Sequence, residues 1–200
     1  MKINTRSNVD DVVKGMKKAY KDQMPYATSK AINEVTKLAK KEVDKQIRTL
    51  DNPTSFTTKA SFVSFSNKNK TPIQAIVGVK DIQAKYLQYA EDGGTSRAKG
   101  KAKPVPTSTS KNKYGNLARG TTKKIGNGKV FSGTPAGRPA GIYQRMGTKK
   151  NPKLKMLASW HASTQHTPHM RIGDRVRLIV DRNFEKELKK QVAAAIASAK

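Results

Sequence analysis

Between Gly93 and Gly173 the chain carries seventeen Lys and Arg residues and not one Asp or Glu. Such a stretch cannot neutralise itself by internal ion pairing, so its cations must face water or a polyanion from outside. The other 24 of the 41 basic residues share the rest of the chain with all 14 acidic ones. The sequence therefore reads as a mildly basic protein wrapped around an unneutralised cationic insert. The formal charge of +27 costs self-repulsion from which a free monomer gains nothing, which points to life beside nucleic acid or an acidic protein surface.

A hydrophobic content of 35% over 200 residues suits one modest core. The absence of cysteine leaves no disulfide framework and no thiolate metal site. Met1 to Thr5 lacks the apolar run of a signal peptide, and no run of eighteen apolar residues occurs. Neither secretion by that route nor a membrane span is expected.

Periodicity predicts the elements in order. Ser7 and Asp10 read as a cap and acidic first turn for a helix with Val12, Val13, Met16, Ala19 and Tyr20 on one face. Pro25 suits the first turn of a second helix, whose stripe runs through Ala27, Ala31, Val35, Leu38, Ala39 and Val43 to Ile47 and Leu50. It stops at Asp51-Asn52-Pro53. Phe56 to Phe65 and Ile73 to Lys80 read as an antiparallel hairpin joined by polar Asn67 to Lys70. Asp81 to Ala90 suits a short helix, ended by Gly93-Gly94. Gly141 to Met146 and Leu154 to His161 form a second hairpin about the turn-like Gly147 to Pro152. Asp174 caps a closing helix with Val176, Ile179, Phe184, Leu188, Val192, Ala195 and Ile196 as its stripe. Lys189, Lys190 and Lys200 suit the negative end of that helix.

The expected fold class is α+β, an antiparallel sheet of hairpins packed with N-terminal and C-terminal helices, with a long basic extended arm. Residues 1–96 supply the first helices and hairpin, 97–138 the arm, and 139–200 the second hairpin and closing helix of the same single domain. The arm is rich in Lys, Gly, Ser, Thr and Pro. Val105, Tyr114, Leu117, Ile125, Val130 and Phe131 are its only larger apolar residues. By composition it is expected to need contacts outside its own subunit to become ordered.

Few residues suggest catalysis. His161, His166 and His169 are the only histidines and fall within nine residues, close enough to surround one metal. Yet no carboxylate lies between Asp92 and Asp174 to complete the site or to serve a nuclease centre. Ser159 and His161 share a strand face without a visible third partner. Gly126-Asn127-Gly128-Lys129 matches neither the dinucleotide nor the P-loop spacing and reads as a turn. The expectation is a protein that is not an enzyme, with no cofactor and no metal. The basic arm needs charge density and no fixed spacing to bind phosphates. Its candidate contact residues are Arg97, Lys99, Lys101, Lys103, Lys111, Lys113, Arg119, Lys123, Lys124, Lys129 and Arg138. The few aromatics near them, Tyr114, Phe131 and Tyr143, favour a duplex backbone over stacked single strands. Docking on an acidic protein neighbour fits the same charges.

Three segments carry a family resemblance. The run from Met24-Pro25-Tyr26-Ala27 through Ala31-Ile32-Asn33-Glu34-Val35, and Ala140-Gly141-Ile142-Tyr143-Gln144-Arg145 with its following hairpin, resemble the minor tail protein Z family of tailed bacteriophages and prophages. Tyr86 to Thr95 is similar to the Tyr-x-x-Glu-x-Gly-Thr turn of related head-tail joining and tail completion proteins, with an additional Asp and Gly. The resemblance implies a virion structural protein at the head-proximal end of the tail, completing the tail or forming the neck. It further implies a homo-oligomeric ring near the DNA channel, made in the host cytoplasm. Portal or adaptor proteins, tail tube and terminator proteins, and duplex genomic DNA would be its partners, with no membrane. The alternatives are a basic nucleic-acid-binding protein acting independently of a virion and, further off, a metal-dependent nuclease.

Overall fold

The computed structural model describes Lys14, Gly15, Lys21 and residues 23–198. The first helix expected from Ser7 lies outside these residues. The class is α+β, and among the described residues every strand pairing in the three sheets is antiparallel. Contacts divide the chain into two discontinuous units. One comprises Met1–Gln46, Lys59–Asp81 and Ile172–Lys200, the other Ile47–Thr58 and Ile82–Arg171.

The first unit is built on α1 (Met24–Arg48) and α4 (Ile172–Ser198) with the hairpin β1 (Ser61–Ser64) and β2 (Ile76–Val79). Pro25 occupies the first turn of α1, where its missing N–H breaks no helical bond. Ala27, Ala31, Val35, Ala39 and Val43 recur every fourth residue and are all buried, whereas Leu38, expected on the same stripe, is exposed. Asn33 fastens this helix to Ser66, two residues past the end of the hairpin's first strand. Its Oδ1 accepts from the Ser66 backbone N at 2.7 Å, and its Nδ2 donates to the Ser66 carbonyl at 3.1 Å. Ser29 and Ser66 hydroxyls add a bond of 2.7 Å, and Ser61 is bonded to Asp44. On α4, Arg175 reaches Glu42 of α1 at 3.7 Å. Ala195 of its expected stripe is buried while Ile196 stays exposed. Lys189 and Lys190 pair with Glu185 and Glu187 on their own helix, as i,i+3 and i,i+4 neighbours do.

In the second unit, Ser55–Thr58 forms a single helical turn, α2, where a strand was expected from Phe56. Thr54 causes the difference: its Oγ1 accepts from the Thr57 backbone N at 3.2 Å, the bond an N-cap makes. The helix α3 (Asp81–Glu91) begins with Asp81 in its first turn. It ends at Gly93 and Gly94, whose φ angles of 73° and 97° are open to glycine and unfavourable for other residues. Two small antiparallel sheets follow. β3 (Gly94–Arg97) pairs with β8 (Ser163–His166). A four-stranded sheet has the order β4-β7-β6-β5, from β4 (Lys103–Pro106), β5 (Val130–Gly133), β6 (Gly141–Thr148) and β7 (Asn151–His161).

The hairpin β6-β7 matches the expected one, with a tighter tip, Thr148 pairing with Asn151. The strands on either side of it correct the sequence reading. Both come from residues 97–138, the segment expected to be an extended arm that needs contacts outside its own subunit to become ordered. A small number of well-placed apolar residues suffices to order it. Val130 joins Ile142 and Ala158 in a buried cluster, and Leu117 and Ile125 of the β4-β5 connection pack against that cluster. The connection is further tied by Thr107 and Ser110 to the Leu157 carbonyl. The Asn112 side chain accepts from the backbone N of Tyr114 and Asn116 at 2.9 and 3.0 Å, closing a local turn. At the outer edge, Thr107 N donates inward to Leu157 at 3.0 Å. By strand alternation Pro104 and Pro106 therefore occupy the positions whose N–H would point away from β7.

Candidate nucleic-acid interface

The four-stranded sheet positions the basic residues. One face is sealed by the Val130, Ile142 and Ala158 cluster and the connection folded over it, so the hydrophilic remainder of that connection is turned outward. Lys111, Lys113, Arg119, Lys123 and Lys124 lie there, all exposed. Arg97 ends β3, Lys99 and Lys101 lie in the turn to β4, and Lys129 precedes β5; these four are exposed as well. Arg138 is exposed, with its Nη1 donating to the Leu154 carbonyl at 3.3 Å.

Lys103 differs from the other candidates. It is half-buried on β4, and its Nζ donates to the Ser96 hydroxyl at 2.5 Å and the Ser96 carbonyl at 3.3 Å. Its ammonium ties β4 to β3. Among the described residues none of the eleven candidates pairs with a carboxylate, since the five ion pairs present all lie in the other unit. Ten exposed cations without counter-charges raise the local potential, and that potential draws polyanions.

Of the seventeen basic residues in the acid-free stretch six lie outside the candidate set, and four of these gather at one place. Arg145, Lys149, Lys150 and Lys153 surround the β6-β7 tip, and residues 145–153 are all exposed. Arg145 is held in place: Nη1 donates to the Gly128 carbonyl at 2.5 Å, and the guanidinium lies 4.5 Å from the Phe131 ring centroid. Phe131 in turn stacks on buried Tyr143 at 5.9 Å. The signal was present in the sequence as Lys149-Lys150 set between two strands, which is where a two-residue hairpin loop places side chains in solvent.

The histidines do not gather. His161 Nε2 is 2.8 Å from the Ser159 hydroxyl on β7, and among the described residues no carboxylate bonds to that imidazole. His166 lies at the end of β8, with Nε2 2.9 Å from the Ser96 hydroxyl and its ring 5.2 Å from that of Tyr89. His169 Nδ1 is 3.3 Å from the Thr167 carbonyl. His166 and His169 line a cleft of about 740 Å³ with Tyr86, Tyr89 and Tyr114, and His161 does not. Among the described residues no group of three His, Cys, Asp or Glu could hold a metal ion. No described helix is long and apolar enough to cross a membrane.

The three resembling segments occupy α1, the α3-β3 turn and β6. Physical reasons for several of their residues are visible. Ala27, Ala31 and Val35 are buried and Asn33 clamps Ser66, while a side chain at Gly141 would strike the Ala158 carbonyl across the strand pair. No family model, no curated protein and no solved structure matches the chain.

Proposed function

We propose that this chain is a non-catalytic structural subunit of a tailed-phage virion. It acts at the head-proximal end of the tail in tail completion or the neck, as an oligomeric ring whose basic unit faces duplex DNA. One observation carries the reading: an acid-free segment is folded into a sheet-based unit that keeps ten of eleven candidate cations exposed and unpaired. The segments resembling tail completion proteins support the virion setting. Portal or adaptor, tail tube and terminator proteins are the partners that follow.

A specific observation favours a second reading, a basic nucleic-acid-binding protein that works without a virion. Residues 97–138 find their partners within the chain, so their order no longer requires neighbouring subunits. Native mass spectrometry of the purified protein, alone and with portal or tail components, separates the two. A discrete ring that binds such components supports the structural subunit. A monomer that ignores them yet binds duplex DNA with steep salt dependence favours the second reading.

A further inference from the structure

Beyond the sheet, β6 and β7 continue without a further paired strand among the described residues. β5 pairs with β6 only through Gln144, and β4 pairs with β7 only from Ala158 to His161. The backbone bond from Arg145 N to Lys129 O at 2.7 Å and the Arg138 contact to Leu154 are the last ties to flanking chain. Past them, Met146, Gly147 and Thr148 pair only with Lys153, Pro152 and Asn151. At ~3.3 Å per residue this free ribbon is about 10 Å long before its turn. We infer that this ribbon is a finger that enters the major groove of B-form duplex DNA. The inference rests on the reading that the basic unit faces duplex DNA.

Its dimensions and charge favour this occupant over others. The major groove is ~12 Å wide and ~8.5 Å deep and admits a two-stranded ribbon. The free ribbon carries its cations at the tip and on one face: Lys149-Lys150 form the loop and Lys153 shares a face with Met146, while Arg145 at the base is turned onto the Gly128 carbonyl and the Phe131 ring. Adjacent cations at the end of a narrow ribbon suit the phosphates that border a groove. No aromatic residue lies between Gln144 and Leu157, so stacking on single strands has no platform. The deep, narrow major groove of duplex RNA would exclude a ribbon. Gly147 sets the shape of the finger: φ is 82°, and a Cβ there would collide with the Asn151 carbonyl.

The test measures binding to a mixed-sequence DNA duplex by fluorescence anisotropy over a series of salt concentrations. Competition by methyl green in the major groove and netropsin in the minor groove accompanies it. Wild-type protein is expected to lose binding to methyl green and not to netropsin, and to bind duplex RNA at least tenfold more weakly. Replacing Lys149, Lys150 and Lys153 by Ala should lower the slope of log K against log salt by about 2.7, near 0.9 per phosphate, and the Arg triple variant should restore it. Gly147→Val keeps every charge and should lose the methyl green sensitivity, with circular dichroism confirming the fold. A Lys99, Lys101, Lys123 triple Ala variant removes equal charge and should keep the groove preference. If the finger variants retain wild-type slope and groove preference, or wild type binds duplex RNA or polyglutamate equally well, the finger inference is overturned and the basic-surface reading stands. If wild type shows no salt-dependent duplex binding, both fall.

Discussion

Leu117→Ala probes the docking of the β4-β5 connection on the sheet. Leu117 is half-buried against the Val130, Ile142 and Ala158 cluster. Full burial of a leucine contributes ~1.5–3 kcal/mol, so truncating a half-buried one should weaken docking by about 1.4 kcal/mol. That shift makes the undocked state about tenfold more populated. Lys111, Lys113, Arg119, Lys123 and Lys124 are exposed trypsin sites within the connection, and cleavage there tracks the open population when reclosing is fast. Trypsin should therefore cut the variant about tenfold faster than wild type inside residues 107–129, with little change elsewhere. An excised peptide of the same residues provides the undocked limit. Two results would refute the reasoning: wild-type protein cut as fast as the peptide, or a variant cut no faster than wild type. Either would mean that the packing of Leu117 does not hold the connection on the sheet.

Other parts of the chain invite equally direct tests. Asn33→Ala removes both bonds to the Ser66 backbone and should cost about 2 kcal/mol in urea unfolding, while Asn33→Asp should recover part of it by keeping the acceptor. Tyr143→Phe removes the bond of a fully buried hydroxyl to the Pro139 carbonyl at 2.6 Å and should lower stability by about 1–2 kcal/mol. The hydrogen bond from Lys37 holds the Glu34 carboxyl below its usual range, and Lys189 does the same for Glu185. A depressed carboxyl pKa adds stability above the ordinary carboxylate range and loses it as pH falls through the depressed value. NMR titration should find both midpoints low, with Lys189→Ala returning Glu185 to its usual range.

Elements with strong periodicity were legible in the sequence. The four-residue step from Ala27 to Val43 announces α1, and the hairpin about Gly147 to Pro152 is set by its turn residues. β4 and β5 were not legible. Lys103-Pro104-Val105-Pro106 offers one apolar side chain and two prolines, which argues against a strand unless an edge position is available. That availability depends on β7, more than forty residues later. Leu117, Ile125 and Val130 likewise carry no local period, and their value appears only when Ile142 and Ala158 are beside them. The same limit applies to the site. Charge density revealed that the cations are unpaired, but the special role of Lys103 depends on Ser96, and the reach of Lys149 and Lys150 on where the flanking strands stop.

Pro104 and Pro106 also govern how the protein behaves when crowded. A sheet edge grows by hydrogen bonding to a newcomer, and two prolines at the outward positions of β4 remove the donors such a newcomer requires. Strand-by-strand polymerisation is blocked at that border, even at the high local concentrations at which copies of a chain meet during assembly. The protection covers the stretch of border that β4 itself occupies; at the opposite border the chain covers part of its own edge, since Gly126 N donates to the Val130 carbonyl at 2.9 Å.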